Sequence, residues 1–291
     1  MYQLYLDIKP PYTIHNFIYI TMKRWIKIII LFILIVIIIG GGLNMYRTLE
    51  YNKQSFSADI YNYASPLAEQ IININKEYDI NKLLIYDSTL VQIIPLVKNH
   101  ITAPFIICDF VDNKKALVTK VTRDQEIHLK NKLENSTSAD YPPLIKAYKD
   151  FRIIGYKLPD NEFIFCTFHQ GISIISRSYK QIMDIIDTDP ENTFFTNEDY
   201  EKEILDIKEN APVGLFIKHD RDMLSFDLQI YQDTIEMKGY ILQYEKRDST
   251  SFYFKVLPHL LSLQKNICID YVEIQYKNNL PTAKIILNKM H

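Results

Sequence analysis

The chain has 291 residues, with 33 Lys and Arg against 35 Asp and Glu, a formal charge of −2, and only 7 Gly beside 21 Tyr and 15 Phe. Five basic residues and one acid precede residue 48, so the remainder carries 28 basic against 34 acidic residues, a poor match to nucleic acid, which selects a basic face. The scarcity of glycine argues against Gly-rich phosphate loops, whereas the aromatic load suits amphipathic strands.

The first element is the most informative. Ile28 to Leu43 reads IIILFILIVIIIGGGL with no charged side chain. With Trp25, Ile26, Met45 and Tyr46 the apolar region reaches about 20 residues, enough to cross a hydrocarbon core as a helix. Isoleucine on every face leaves no polar stripe for solvent, which argues against the core helix of a globular domain. Lys23, Arg24 and Lys27 precede the run and only Arg47 follows closely. Retention of positive charge on the cytoplasmic side then predicts residues 22–46 as an anchor with the N-terminus inside. A cleaved signal peptide would need an A-x-A-type site, and Leu43, Asn44 and Met45 supply none. Residues 1–21, with Pro10 and Pro11, show no helical period. They read either as a short cytoplasmic tail or as an extension upstream of a true start at Met22.

Residues 47–58 read as a polar linker, and 59–291 as an extracytoplasmic α+β domain. Ile60, Ala64, Leu67, Ile71, Ile72 and Ile74 keep near-3.6 spacing and predict a helix over 59–77. A strand-like run follows at 83–86 and a short helix at 90–98. Residues 104–111 and 116–121 form a hairpin, and Thr122 caps a helix to 135 with Gln125 and Glu126 behind it. The loop-rich stretch 135–143 divides two subdomains. Strands at 151–158, 163–169 and 172–175 lead into a helix capped by Ser176 and ending at Asp187. A second helix covers 197–209, capped by Thr196 or Asn197. Strands follow at 213–218, 225–231 and 234–244, then a helix at 256–264 and a closing hairpin at 267–276 and 282–287. Hairpin pairing disfavours a parallel doubly wound sheet. The fold class is α+β: a transmembrane helix, then antiparallel meanders with helices packed on one face. Hairpin-then-helix order at 104–134 and 151–187 suggests two related halves.

The search for chemistry returns little. The seven His contain no i,i+4 pair and no H-E-x-x-H. His219-Asp220-Arg221-Asp222 is the densest polar cluster, but it sits where a strand ends and reads as a solvated turn. Asp187, Asp189 and Glu191 lack the Gly and terminal Glu of a calcium loop. Gly171-Ile172-Ser173 carries only half of a G-x-S-x-G elbow, and Ser176 near His169 reads as a helix cap rather than a nucleophile. Cys108, Cys166 and Cys268 each lie in an apolar run and read as small buried hydrophobes, with one disulfide between two of them as the alternative. No catalytic, cofactor-binding or metal-binding set emerges.

Two segments, GISIISRSYKQIMDIIDTD and FFTNEDYEKEILDIKENAPVGLFIKHDRDML followed by LSFDLQIYQDTIEMKGYIL, resemble an uncharacterised family of membrane-anchored envelope proteins of Bacteroidota. The resemblance implies an anchored periplasmic domain of unknown function and lends no catalytic residue. The expected function is therefore an envelope protein of the inner (cytoplasmic) membrane. It touches lipid through Ile28–Leu43 and acts outside through protein or surface contacts. The alternative is a periplasmic ligand-binding domain for lipid, peptide or glycan. A deep aromatic cleft would favour the alternative, and a flat surface the partner role.

Overall fold

The computed structural model describes residues 12–76, 78–86, 90–91, 93–101, 103–111, 114–136, 141–159, 161–196, 200–219, 222–231, 234–242, 267–277 and 280–289. The chain divides into two units, Met1–Glu50 and Tyr51–His291. The first helix, α1, runs unbroken over Tyr12–Ser57. Its stretch Arg24–Gln54 contains an 18-residue window with a mean hydropathy of 3.0, none of it buried. Ile28 to Ile39 present consecutive apolar side chains that are each 44–69% exposed. Water does not tolerate such a rod, and a bilayer does.

Two expectations for this region change. Residues 12–21, expected to show no helical period, are already part of helix α1. The expected polar linker at 47–58 is helical through Ser57, because polar residues such as Glu50, Lys53 and Gln54 are good helix formers once a helix is nucleated.

The second unit is built on one antiparallel sheet. Its strands are β1 (Gln70–Ile74), β2 (Phe105–Phe110), β3 (Lys114–Lys120), β4 (Leu144–Tyr148), β5 (Phe151–Lys157), β6 (Phe163–His169), β7 (Ile172–Ser176), β8 (Val213–His219), β9 (Asp222–Ile230), β10 (Thr234–Leu242), β11 (Ile267–Lys277) and β12 (Leu280–Lys289). They lie in the order β11-β12-β10-β9-β8-β1-β2-β3-β7-β6-β5-β4. Strand β1 sits in the middle and joins two meanders, pairing with β2 on one side and β8 on the other. Strands before and after residues 135–143 belong to the same sheet. The antiparallel α+β architecture is thus the one expected.

The short helices are α2 (Leu83–Tyr86), α3 (Ile94–Val97), α4 (Arg123–Asn135), α5 (Tyr179–Ile186) and α6 (Glu201–Asn210). They divide between the two faces of the sheet rather than sharing one. Leu83, Ile94, Val97, Leu129 and Leu133 from α2, α3 and α4 pack with Ile72, Ile107 and Leu215. Ile182, Ile185, Ile204 and Ile207 from α5 and α6 pack with Ile71, Ile106 and Phe216 on the other side. Helices α4 and α5, which end the two hairpin–helix units, therefore lie on opposite faces, so the suggested repeat does not extend to packing.

The expected helix over 59–77 is overturned. A 3-10 turn at Ile60–Tyr63 is followed by β1, whose five residues are all buried. A central strand covered on both faces buries every position, and the isoleucines of β1 imitate a helical spacing. Leu67, which that helix would have buried, is 62% exposed. Residues 83–86 are a helical turn rather than a strand, and the short helix expected at 90–98 narrows to Ile94–Val97. Strand β4 was not anticipated, because its residues are exposed and show no burial alternation. Residues 256–264, expected to be helical, lie outside the described residues.

Local chemistry accounts for several boundaries. Thr122 Oγ1 accepts from Gln125 N at 3.3 Å, and Gln125 Oε1 accepts from Thr122 N at 2.8 Å, closing the capping box that starts α4. The β6–β7 hairpin turns on Gln170 and Gly171, both at positive φ of 46° and 79°, as a two-residue turn matched to strand twist requires. Asp109 and Lys115 are cross-strand partners in the β2–β3 register and form a largely buried ion pair. Breaking it strands a charge in the core, so it ties the hairpin to one register.

Candidate functional site

The residues singled out from sequence do not assemble into a reactive centre. His169 pairs with Ile172 at one end of the β6–β7 hairpin and Ser176 with Phe165 at the other. Four residues of strand separate them, roughly 13 Å. The His169 ring rests on Phe151, with centroids 4.3 Å apart. Ser176 is fully buried, donates to Lys115 O at 2.7 Å and accepts from Ser178 N at 3.0 Å. It is the last residue of β7, not the expected cap. Helix α5 begins three residues later, at Tyr179, with Ser178 at the N-cap position and no side-chain cap. Thr196 likewise accepts from Thr193 N instead of capping α6, which starts after Tyr200. Asn197 lies outside the described residues.

Asp187 accepts from Tyr148 Oη at 2.7 Å and pairs with Lys149 Nζ at 2.6 Å, tying the end of α5 to the β4–β5 turn. The Lys149 ammonium, and then the Tyr148 hydroxyl, hold its carboxyl below the usual range. Asp189 accepts from Glu191 N at 3.0 Å, a local turn. His219 and Asp222 face each other across the β8–β9 hairpin, and Asp220 and Arg221 lie outside the described residues. Among the described residues no three His, Cys, Asp or Glu side chains come together in a way that could hold a metal.

The cysteines separate. Cys108 lies in one core cluster and Cys166 in the other. All three thiols are free, with only Cys268 exposed. Burial pushes the Cys108 thiol up to about 12, and Cys166 is raised by burial as well. Neither is a thiolate near neutral pH, so neither is an activated nucleophile.

The architecture builds two surfaces that sequence did not announce. The first is the face of β9–β12 turned away from α2, α3 and α4. Asp227, Lys238, Lys284 and Glu273 form one cross-strand row, fixed by the pairings Asp227–Lys238, Lys238–Lys284 and Lys284–Glu273. Glu236 sits beside this row, 3.0 Å from both Lys238 Nζ and Lys284 Nζ. Lys284 first, then Lys238, holds the Glu236 carboxyl below its ordinary value. Exposed Tyr231 and Tyr271 flank the charges. Where α6 meets this face, Tyr240 Oη donates to Asp206 Oδ2 at 3.1 Å. The two elements border an open groove of about 470 Å³. Lys238 and Lys284 are remote in sequence, and only the β10–β12 register brings them together. The outward alternation of each hairpin was the one signal available in sequence.

The second surface is a groove of about 300 Å³ between the Ile60–Tyr63 turn, residues 190–196 and α6. Lys208 Nζ stands 4.3 Å from the centroid of the Tyr61 ring and 5.6 Å from that of Phe195. Asn73 and Asn75, on and just after β1, position this corner. Asn73 Nδ2 donates to Lys208 O at 2.8 Å and Asn75 Nδ2 to Ala211 O at 2.8 Å, which satisfies carbonyls at the C-terminal end of α6. Their amide oxygens accept from Tyr61 Oη at 3.1 and 3.0 Å. Burial pushes the Tyr61 phenol up to about 12, so it stays a neutral donor.

No known protein family and no curated protein matches the chain. Among solved structures it is similar to TP0453. Crystal form III gives a TM-score of 0.44 at 10% identity, covering 80% of this chain and 95% of that one. Crystal form IV gives 0.43 at 9% identity, covering 81% and 93%. Likeness at this level carries no functional argument, so the reading below rests on the residues themselves.

Proposed function

We propose that the chain is a single-pass membrane protein that holds its α+β domain outside the cytoplasm and works there by contacting another envelope protein, without catalysis. An inner-membrane anchor with the N-terminus inside follows from Lys23, Arg24 and Lys27 ahead of the apolar run. The observation that carries the partner role is the β9–β12 face: four strands wide, unroofed by helices α2–α5, and set with charges of both signs and exposed tyrosines. Recognition surfaces of this kind fix orientation by charge and gain contact area from tyrosine.

A photo-crosslinking residue placed at Tyr231 or Tyr271 in intact cells tests this. A discrete adduct from these positions, absent from a control at Lys180 on α5, is the expected result. No adduct at either position, together with a small molecule retained in the native mass spectrum, transfers the function to the alternative. That second reading has its own observation: the groove at Tyr61, Phe195 and Lys208 reaches the lower size range of ligand pockets and offers one cation above two aromatic faces.

A further inference from the structure

The far edge of the sheet, remote from β9–β12 in strand order, carries a patch of different composition. On one face of β4–β5–β6 the register aligns Leu144, Gly155 and Phe165 in one row and Lys157 with Phe163 in the next. Gly155 makes this packing possible, since a Cβ there would meet the Phe165 ring at 2.8 Å. Phe163 stacks on Phe165 with centroids 5.8 Å apart. Lys157 Nζ lies 3.6 Å from the centroid of the Tyr141 ring, and Lys146 Nζ lies 5.2 Å from that of Tyr179. Tyr141, Leu144 and Phe163 are 52%, 44% and 37% exposed. Of the acids beside these strands, Glu162 is engaged by Arg177 at 2.9 Å and Asp187 by Tyr148 and Lys149 at 2.7 and 2.6 Å.

We infer that this edge docks the domain on an anionic bilayer surface, with Tyr141, Leu144 and Phe163 entering the interface and Lys146 and Lys157 reaching the headgroups. Apolar and aromatic side chains beside lysines are what an interfacial lipid contact needs, because apolar burial and attraction to anionic headgroups act together. Each ammonium lies over an aromatic ring at the patch, and the long lysine stem lets it swing from there to a headgroup. The chain carries its own membrane anchor, so the bilayer is present at high effective concentration and a weak patch suffices. Pairing with a second copy is the poorer occupant. Strand β4 has only five residues, and full antiparallel overlap with its own copy sets Lys146 against Lys146, as protected edges do. This contact is separate from the β9–β12 face and stands whether or not that face has a protein partner.

The test uses the full-length chain in nanodiscs. Trp25 is the only tryptophan, so Trp25→Phe combined with Phe163→Trp creates one reporter at the patch. Lipids brominated on the acyl chain quench a tryptophan that enters the interface. With phosphatidylcholine plus phosphatidylglycerol, the expected result is blue-shifted emission and about a twofold loss of intensity, weakened by high salt. Lys146→Glu with Lys157→Glu restores the emission seen in phosphatidylcholine alone, with an unchanged melting temperature. Should the Phe163→Trp chain not fold, Tyr141→Trp serves as the reporter. Equal emission with and without phosphatidylglycerol overturns the proposal. So does quenching indifferent to the two lysine reversals, or protection that grows with chain density without any quenching.

Discussion

The two halves of the sheet are covered differently, and the difference separates scaffold from surface. Around β1, β2, β3 and β7 both faces are roofed, by α3 and α4 on one side and by α5 and the 3-10 turn at Ile60–Tyr63 on the other. Every residue of β1 and β7 is buried. Across β9–β12 one face is packed along all four strands, with Leu224, Phe226, Leu228, Met237 and Ile285 in the core; on the other, Met223 and Leu242 join the cluster of α6 while Asp227, Lys238 and Lys284 point out. The first half is core on both sides. The second presents a charged surface in which Lys238 and Lys284 share Glu236.

Substitutions can break this comparison, beginning where the effect is largest. The open half is not loosely built: a Cβ on Gly239 would lie 1.9 Å from the backbone carbonyl of Ser225. Gly239→Ala is expected to cost about 3 kcal/mol or more, read from chemical denaturation, since no side-chain adjustment moves a backbone atom out of the way. In the roofed half, Phe216 is fully buried and meets Phe195 edge-on at 4.9 Å. Phe216→Ala should cost about 3–5 kcal/mol by the same measurement. Lys238→Ala on the open face should change stability by no more than about 0.5 kcal/mol. A large loss from Lys238→Ala would mean that this face belongs to the scaffold. Between these extremes lies Asn73→Ala, which removes one of the two side-chain donors to Lys208 O, Asn75 Nδ2 being the other, together with an acceptor for Tyr61 Oη, and should cost about 1 kcal/mol.

The smallest effect concerns pH. The Glu236 carboxyl is held below its ordinary value by Lys284 and Lys238, so its contribution is present above the usual carboxylate range and is lost as pH falls through its lowered folded value. Wild type should therefore exceed Glu236→Gln slightly in melting temperature near neutral pH, and the gap should close in acid. A gap that widened on acidification would contradict the charge arrangement.

Much of this fold was legible wherever local pattern and burial agree. The hairpins β5–β6, β8–β9–β10 and β11–β12 alternate, so their period of two could be read directly. The capping box of α4 is a local motif and was readable as such. Strand β1 was not readable, because burial on both faces erases alternation and Ile71-Ile72 is as helical a pattern as it is a strand. Strand β4 was invisible for the opposite reason: four exposed residues on an edge carry no burial signal. The candidate surfaces were the least legible. Lys238 with Lys284, and Tyr61 with Lys208, are joined only by pairing and packing between distant segments. The anchor needed none of this, since a sustained apolar run states its solvent by itself.

The side of the membrane on which Tyr51–His291 lies decides the account, and the chain contains its own reporter. Cys268 is exposed on an edge strand while Cys108 and Cys166 are fully buried. A membrane-impermeant maleimide applied to right-side-out vesicles should therefore label the folded chain once, at Cys268, with labelling lost in Cys268→Ser. Labelling of Cys268 only after the membrane is breached would put the domain in the cytoplasm and contradict the account.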